Sequence, residues 1–556
     1  MTYSMKTINI HSLMGVLLLA GIMLTGCTKD NTMDEIVKPA EQEKTTDDFI
    51  EALKAIDGVR DVEAKTTASG EETVYYFYFR QPINHANPDA GTFDQQVAIS
   101  FKGYDKDVVL HTHGYTIYDI SKFYRDDLST HLGANQVNVE HRYFGNSLPE
   151  PADSPSYTYF NAEQEAYDLH AIVQMLKKNL FKTGKWASTG TSKDGITSAL
   201  YAYYSDQNGW NDIDLFVPFC APFLPGSTAA DGTFTCMDTR IGNYQDQVCG
   251  TGYAAGSPEA IACQRLHDIP YYICTNKTLR DACNKYTLAS DPTSYRKILD
   301  QYNQHSPMST GDLEKDITAL TISTYVGNLF SKFSYVQFPL WVKLVPDPAK
   351  AITDEEERGN LLTFITMDHE ILFDSLKVLN GANVDDDTEG TETRSAQDVL
   401  SVLNDRYARF WKYINDLRGD NSYPYLIQAF KELGASEYAF LHVDGTFLTP
   451  TQVRDVNEIF SVQHQFSGIF RQDEGALMRN FRQWVATEST QNIVFVYAYN
   501  DPWTGGRPDE TAISQNPKTV MVIDPIAVHS DFFLNSSYYT PQTKKVIVDA
   551  INKYMK

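Results

Sequence analysis

The 556-residue chain is short of positive charge: 47 Lys and Arg stand against 72 Asp and Glu, a formal net charge of −25. A duplex phosphate backbone requires clustered Lys and Arg, so nucleic acid is excluded as a partner. Long hydrophobic runs are scarce as well. The run Leu13–Leu24 is mostly apolar, but a membrane-spanning helix needs about 20 such residues. Cysteine is sparse, with 7 in the chain, and no CxxC or HxxxH pair occurs among them to suggest zinc. The 32 Gly and 23 Pro follow no period, which excludes collagen-like and low-complexity architectures. Aromatic residues are not lacking. The 34 Tyr, 29 Phe and 6 Trp supply enough burial area to exclude a disordered chain and to build a full core.

The N-terminus reads as an address. Lys6 precedes the apolar run, which has the length of a secretory h-region. Leu24-Thr25-Gly26-Cys27 follows and resembles a bacterial lipoprotein processing site, with Cys27 as the lipidated first residue. Residues 28–47 are polar and charged and read as a flexible tether. The expectation is an exported protein attached to the bacterial cell envelope only by its lipid, on either face of the outer membrane. The other six cysteines, Cys220, Cys236, Cys249, Cys263, Cys274 and Cys283, are an even number in an exported chain and are expected to form disulfides. Six allow 15 pairings, and none is assigned.

Strand and helix signals alternate through the first half of the fold. Val74–Phe79 and Gln96–Phe101 are β-branched and aromatic runs around a turn-like NPDAG, so they predict an antiparallel hairpin. Shorter buried-type strands follow at 108–110 and 136–139. Leu169, Ile172, Val173, Leu176 and Leu180 share one helical face. A strand at 185–188, a helix at 196–206 and a strand at 215–219 complete the pattern, which predicts a parallel sheet covered by helices. The alternation breaks over 226–470, where acidic runs at Asp354–Glu357 and Asp385–Asp387 read as solvated faces or loops. It resumes with a helix at 472–486, strands at 493–499 and 519–523, and a terminal helix from Gln542.

The candidate chemistry lies at the ends of these strands. Gly190-Thr191-Ser192-Lys193-Asp194-Gly195 joins a strand to a helix, the context of a nucleophile elbow. Asp194 occupies the position two after the serine where glycine is usual, and Gly195 comes one later. A serine hydroxyl needs a basic partner, and that base needs a carboxylate to fix its tautomer. In α/β-hydrolases the chain order is Ser, acid, His. Asp501 follows the strand at 493–499, and His529 follows the next strand. Asp524 is a rival acid, but it lies on the strand leading to His529 itself. Two backbone N–H groups are expected to form an oxyanion hole: that of Lys193, and that of Tyr115, which Gly114 brings close. His111 and His113 stand two apart without a third metal ligand in the sequence, and no cofactor motif is present. Glu140, His141 and Arg142 end another strand; the expectation is a buried Glu140–Arg142 pair supporting the site rather than substrate contact.

The set EHRYFGNS (140–147), GTSKDG (190–195), NDPW (500–503) and a post-strand His529 resembles secreted bacterial prolyl tri- and tetrapeptidyl aminopeptidases. These are relatives of lysosomal Pro-X carboxypeptidase and dipeptidyl peptidase II. LHTHGY (110–115), Tyr423-Pro424-Tyr425 and Gln428–Gly434 also look like that family, over roughly residues 70–550. The resemblance implies an α/β-hydrolase fold with a large, mainly helical cap inserted between nucleophile and acid. It implies Ser192, Asp501 and His529 as the triad of a serine peptidase that releases short peptides, often ending in proline, from free N-termini. The corresponding organisation is a signal peptide at 1–26 and a lipidated tether at 27–47. A hydrolase core follows in two segments, 48–225 and 471–556, with the cap at 226–470 between them. Two alternatives stand beside it: an ester hydrolase on the same fold, and a surface binding lipoprotein with a decayed centre, for which Asp194 is the support.

Overall fold

The computed structural model describes residues 48–67, 72–117, 123–150, 156–228, 234–235, 237–238, 253–369, 371–372, 375–376, 422–436, 443–453 and 473–556. The leader, Cys27, the tether and the run Asp385–Asp387 lie outside these residues.

Nine strands form one sheet. They are β1 (Val59–Thr66), β2 (Thr73–Pro82), β3 (Thr92–Ser100), β4 (Val108–Thr112), β5 (Asn135–Val139), β6 (Trp186–Thr191), β7 (Leu215–Phe219), β8 (Ile493–Ala498) and β9 (Thr519–Asp524). Their spatial order is β1-β2-β3-β5-β4-β6-β7-β8-β9. The first three are antiparallel, β3 meets β5 antiparallel, and from β5 onward all pairs are parallel. The sequence missed β1. Its segment VRDVEAKT is largely exposed, as an edge strand can be, so it lacks the apolar run that marks the inner strands.

Side-chain alternation loads both faces of the sheet. Val108, Leu110, Phe216, Phe495 and Tyr497 join one apolar cluster, while Val109, Leu215, Val217, Val494 and Val496 join the other. Helix α1 (Asp127–Leu132) precedes β5; α2 (Ala162–Asn179) and α3 (Lys193–Asn208) flank β6 in the chain. Asn161 caps α2 by accepting from Gln164 N–H, and Lys177 and Lys178 lie in its last turn, both favourable to the helix dipole. The buried stripe Leu169, Ile172, Val173 and Leu176 faces the first cluster.

Between β7 and β8 the described chain is mainly helical. The longer elements are α4 (Pro258–Thr275), α5 (Lys277–Ser290), α6 (Pro292–Asn303), α7 (Leu313–Tyr335) and α8 (Glu355–Thr366). They share a separate apolar cluster that includes Leu266, Ile273, Leu279, Tyr325, Phe333, Trp341 and Phe364. The acidic run at 354–357 starts α8: Asp354 caps it and Glu355–Glu357 fill its first turn, where negative charge complements the helix dipole. Helices α9 (Ala476–Thr487) and α10 (Pro541–Tyr554) return to the core, one on each face of the sheet. This is the α/β-hydrolase fold expected from the sequence.

The cysteines depart from expectation. Cys220, Cys274 and Cys283 are free, buried thiols, not disulfide partners. Cys263 is disulfide-bonded, while Cys236 and Cys249 lie outside the described residues.

Candidate active site

The chain runs from β4 outward to β5 and back to β6 on the other side of β4. Such a reversal of strand order opens a crevice at the C-terminal strand ends. Ser192 stands there, between the end of β6 and the start of α3, with φ +60° and ψ −124°. A residue with a side chain seldom adopts that conformation, and a nucleophile elbow demands it. Ser192 N–H donates to Phe219 O (2.9 Å), which ties the elbow to β7. Strand and helix approach closely at two glycines. A Cβ on Gly190 would lie 2.6 Å from the Asp194 carbonyl carbon, and one on Gly195 2.8 Å from Phe219 O. The tight contact after the serine thus falls on Gly195, which leaves position 194 free to carry a side chain.

His529 Nδ1 is 2.7 Å from Asp501 Oδ2, and both groups are buried. Asp501 Oδ1 also accepts from Trp503 N–H. With its proton directed at Asp501 through Nδ1, the neutral imidazole leaves a lone pair on Nε2. The rival Asp524 is engaged elsewhere, accepting from the N–H groups of Ile526 and Ala527 and from Thr540. Among the described residues no hydrogen bond joins Ser192 to His529; such bonds commonly tighten only once substrate is bound. Cys220 was expected in a disulfide, but its thiol lies within 4.8 Å of ligand atoms of Asp501 and His529. Burial pushes its pKa well up, and Asp501 adds to this, so it stays a neutral thiol.

The loop after β4 faces the elbow. Lys193 N–H opens α3, where the first helical N–H groups have no partner within the helix. Lys193 Nζ donates to Gly114 O (2.5 Å) and sits over the rings of Tyr115 and Phe144. Burial lowers the pKa of this amine to about 7, although Glu165 and Asp194 act against that. Tyr115 O accepts from His141 N–H, and the Tyr115 ring packs near Tyr425, from the 423–425 motif.

Glu140, His141 and Arg142 are buried, but the expected Glu140–Arg142 pair does not form. The chain turns after β5 and sends the two side chains apart. Arg142 reaches α2, where Nε and Nη2 contact the two Asp168 carboxylate oxygens at 2.7 and 2.8 Å. Glu140 instead accepts from Thr116, Ile117, Asn146 and Ser147. Burial raises its pKa to about 7 despite these bonds.

The helical region adds groups that the sequence did not reveal. His529 N–H donates to Ser334 O at the end of α7 (2.7 Å). The Tyr335 ring meets the His529 ring edge-on at 5.8 Å and also packs on His369 at 4.4 Å. Phe330 packs on Trp503. Of these, Trp503 belongs to a motif readable in the sequence; Phe330, Ser334 and Tyr335 lie on α7, whose pattern signals burial alone, and His369 follows α8.

Known proteins with similar sequences define the class: this is a serine peptidase of the α/β-hydrolase kind. Residues 42–251 match the model of the PS-10 peptidase S37 family. Over 462 residues the chain is 26% identical to the prolyl tri/tetrapeptidyl aminopeptidase of Streptomyces mobaraensis, covering 82% of this chain and 75% of that relative. Among solved structures, it is similar to a rice cell wall degrading esterase, LipA, from Xanthomonas oryzae, at 9% identity and a TM-score of 0.32, covering 90% of this chain and 100% of that one. It is also similar to an alpha/beta fold family hydrolase from Bacillus anthracis, at 10% identity and a TM-score of 0.27, covering 89% and 99%.

Proposed function

We propose that the protein is an exported, lipid-anchored aminopeptidase that releases short peptides from free N-termini through an acyl-enzyme on Ser192. The observation that carries this reading is the Asp501–His529 hydrogen bond (2.7 Å) at the same sheet edge as the left-handed Ser192 elbow. His529 Nε2 takes the Ser192 proton as Oγ bonds to the substrate carbonyl carbon. Asp501 holds the resulting imidazolium, and the Lys193 and Tyr115 N–H groups face the oxyanion. The tetrahedral intermediate collapses, the C–N bond breaks, and His529 gives its proton to the leaving amine. Water then repeats the sequence to free the peptide acid. The peptide substrate and the length of three or four residues, ending in proline, are supported by the name of the Streptomyces relative. Export and anchoring are supported by the apolar run before Leu24-Thr25-Gly26-Cys27.

The test combines a fluorophosphonate probe with a peptide panel. Wild type should be labelled and Ser192→Ala should not, with kcat on peptide falling by about 10⁶. Peptides with free N-termini should be cleaved and acetylated ones spared. Equal labelling of wild type and Ser192→Ala would sink the nucleophile; cleavage of blocked and free peptides alike would sink the aminopeptidase.

A further inference from the structure

Three titratable groups outside the proposed triad meet at the loop after β4. His111, His113 and Asp194 each bring one ligand atom within 4.8 Å of the others. Their hydrogen bonds argue against a metal. Gln136 Oε1 accepts from Asp126 N–H, so Gln136 Nε2 faces Asn138 Oδ1 (2.9 Å). Asn138 Nδ2 must then donate to His113 Nε2 (2.9 Å), which leaves the ring proton on Nδ1. His111 turns Nδ1 toward Asp126 Oδ2 (3.3 Å) and Nε2 toward Asp194 Oδ2 (3.8 Å). Burial works against a charged His111, yet the two carboxylates outweigh it and raise its pKa to about 10. Burial lowers His113 to about 4, and the His111 charge adds to this. His111 thus lies between the Asp126 and Asp194 side chains, and His113 Nε2 is taken by Asn138, so both histidines already have partners within the protein.

The second oxygen of Asp194 has a different partner. Oδ1 accepts from Gly114 N–H at 2.5 Å, while Lys193 Nζ donates to Gly114 O. Residue 114 is thus held at both its N–H and its carbonyl by the two residues that follow Ser192. Thr112 Oγ1 closes the same junction on Asp194 O (2.8 Å). A Cβ at 114 would lie 2.6 Å from Lys193 Cγ and 2.9 Å from Asp194 Oδ1, so the clamp requires glycine there.

We propose that Asp194 is a positioning residue: braced by His111, its carboxylate joins the Lys193 side chain in clamping Gly114 and so sets the adjoining Tyr115 N–H against the oxyanion. The inference rests on the reading of Ser192 as nucleophile. It also accounts for an aspartate where elbows usually carry glycine. Gly195 provides the close approach of helix to strand, and Asp194 provides the hold on the loop.

The test compares kcat and KM on a free-N-terminus peptide for wild type, Asp194→Asn and Asp194→Gly in the full chain. Asparagine can still accept from Gly114 N–H; glycine cannot. Asp194→Gly should lower kcat about 10- to 100-fold, as expected for a small misplacement at a reacting centre, with KM within about twofold and Ser192 still labelled by the probe. Asp194→Asn should recover most of that loss. Wild-type kcat in Asp194→Gly, or equal losses in the two variants, overturns the clamp. Because Asp194→Gly retains Ser192, loss of probe labelling in Ser192→Ala alone separates this question from that of the nucleophile. A melting curve for each variant confirms that the rates come from folded protein.

Discussion

The sheet core and the inserted helices handle buried charge in opposite ways. In the core, Arg142 and Asp168 are fully buried and make paired contacts. Arg142 Nη1 also donates to Ile83 O and Tyr159 O. In the helical region, Arg280 pairs with Glu314, whose side chain is 42% exposed. Arg265–Asp347 and Lys350–Asp354 are likewise open to solvent. The helices are joined by their apolar cluster and carry these ion pairs at the rim; Lys332 and Asp316, which they do bury, are held by neutral groups, the Phe364 carbonyl and Ser309 with Thr310. The core uses ions inside, where low dielectric makes each one costly if unpaired and specific in geometry if paired. The difference teaches that positional accuracy is concentrated under the proposed active site, whereas the helices chiefly provide a wall.

The strongest way to break this contrast is to remove one arginine from each region. Arg142→Ala leaves Asp168 buried without its cation and should cost about 3–5 kcal/mol. Arg280→Ala gives up its pair with the partly exposed Glu314, its packing over the Phe447 ring and its bond to Cys274 O, and should cost about 1–2 kcal/mol. Urea unfolding of both variants measures the difference. Equal losses would mean that the two regions are not distinct in this respect.

The same contrast explains what could be read from the sequence. Strands β4 to β8 were legible because strands buried on both faces write continuous apolar runs, as in Val494–Val496. Ser192 and Asp501 could be singled out because each follows such a strand; His529 follows the edge strand β9, whose burial is mixed, and was marked by its place after Asp501 in the chain. Strand β1 was not, since its edge position leaves charges on an exposed ladder. The Arg142–Asp168 pair was not legible either, because pairing depends on how the chain turns after β5. The contact of His529 with Ser334 uses a backbone carbonyl, which no residue type announces. Asp194 could be seen as a departure, but its partner Gly114 lies in a loop distant in sequence.

An intermediate effect is expected where the helical region meets α2. Glu432 accepts from Ala162 N–H and from Gln428 Nε2, and burial raises its pKa to about 7. Between its ordinary value near 4.5 and about 7, the folded state holds a proton that the unfolded state has released. Stability from this group therefore falls as pH rises through that window, and the penalty is complete above it. Glu432→Gln keeps an acceptor for both bonds and has no charge to desolvate. The variant should match wild type near pH 4.5 and gain on it as pH rises, by on the order of 1–3 kcal/mol above pH 7. Melting temperatures of the two proteins at pH 5, 7 and 8.5 test this; a constant gap across pH would refute it.

The smallest effect on stability should be the one that most sharpens the role of the helical wall. The last carbonyls of a helix lack partners within it, and α7 offers that of Ser334 to His529 N–H. Just beyond, Gln337 Nε2 donates to Ile526 O (2.8 Å) and makes a longer contact with Ser537 O (3.4 Å), on either side of His529 in the chain. Gln337→Ala removes a partly exposed side chain whose hydrogen bonds are worth about 0.5–1.5 kcal/mol, so the melting temperature should move little. The histidine loop, however, loses its second attachment to the helical region, just past the end of α7. If the helices align His529, kcat should fall several-fold, more than the stability change alone accounts for. If kcat is unchanged, the helices act as a wall only, and alignment of His529 rests with Asp501 and the core.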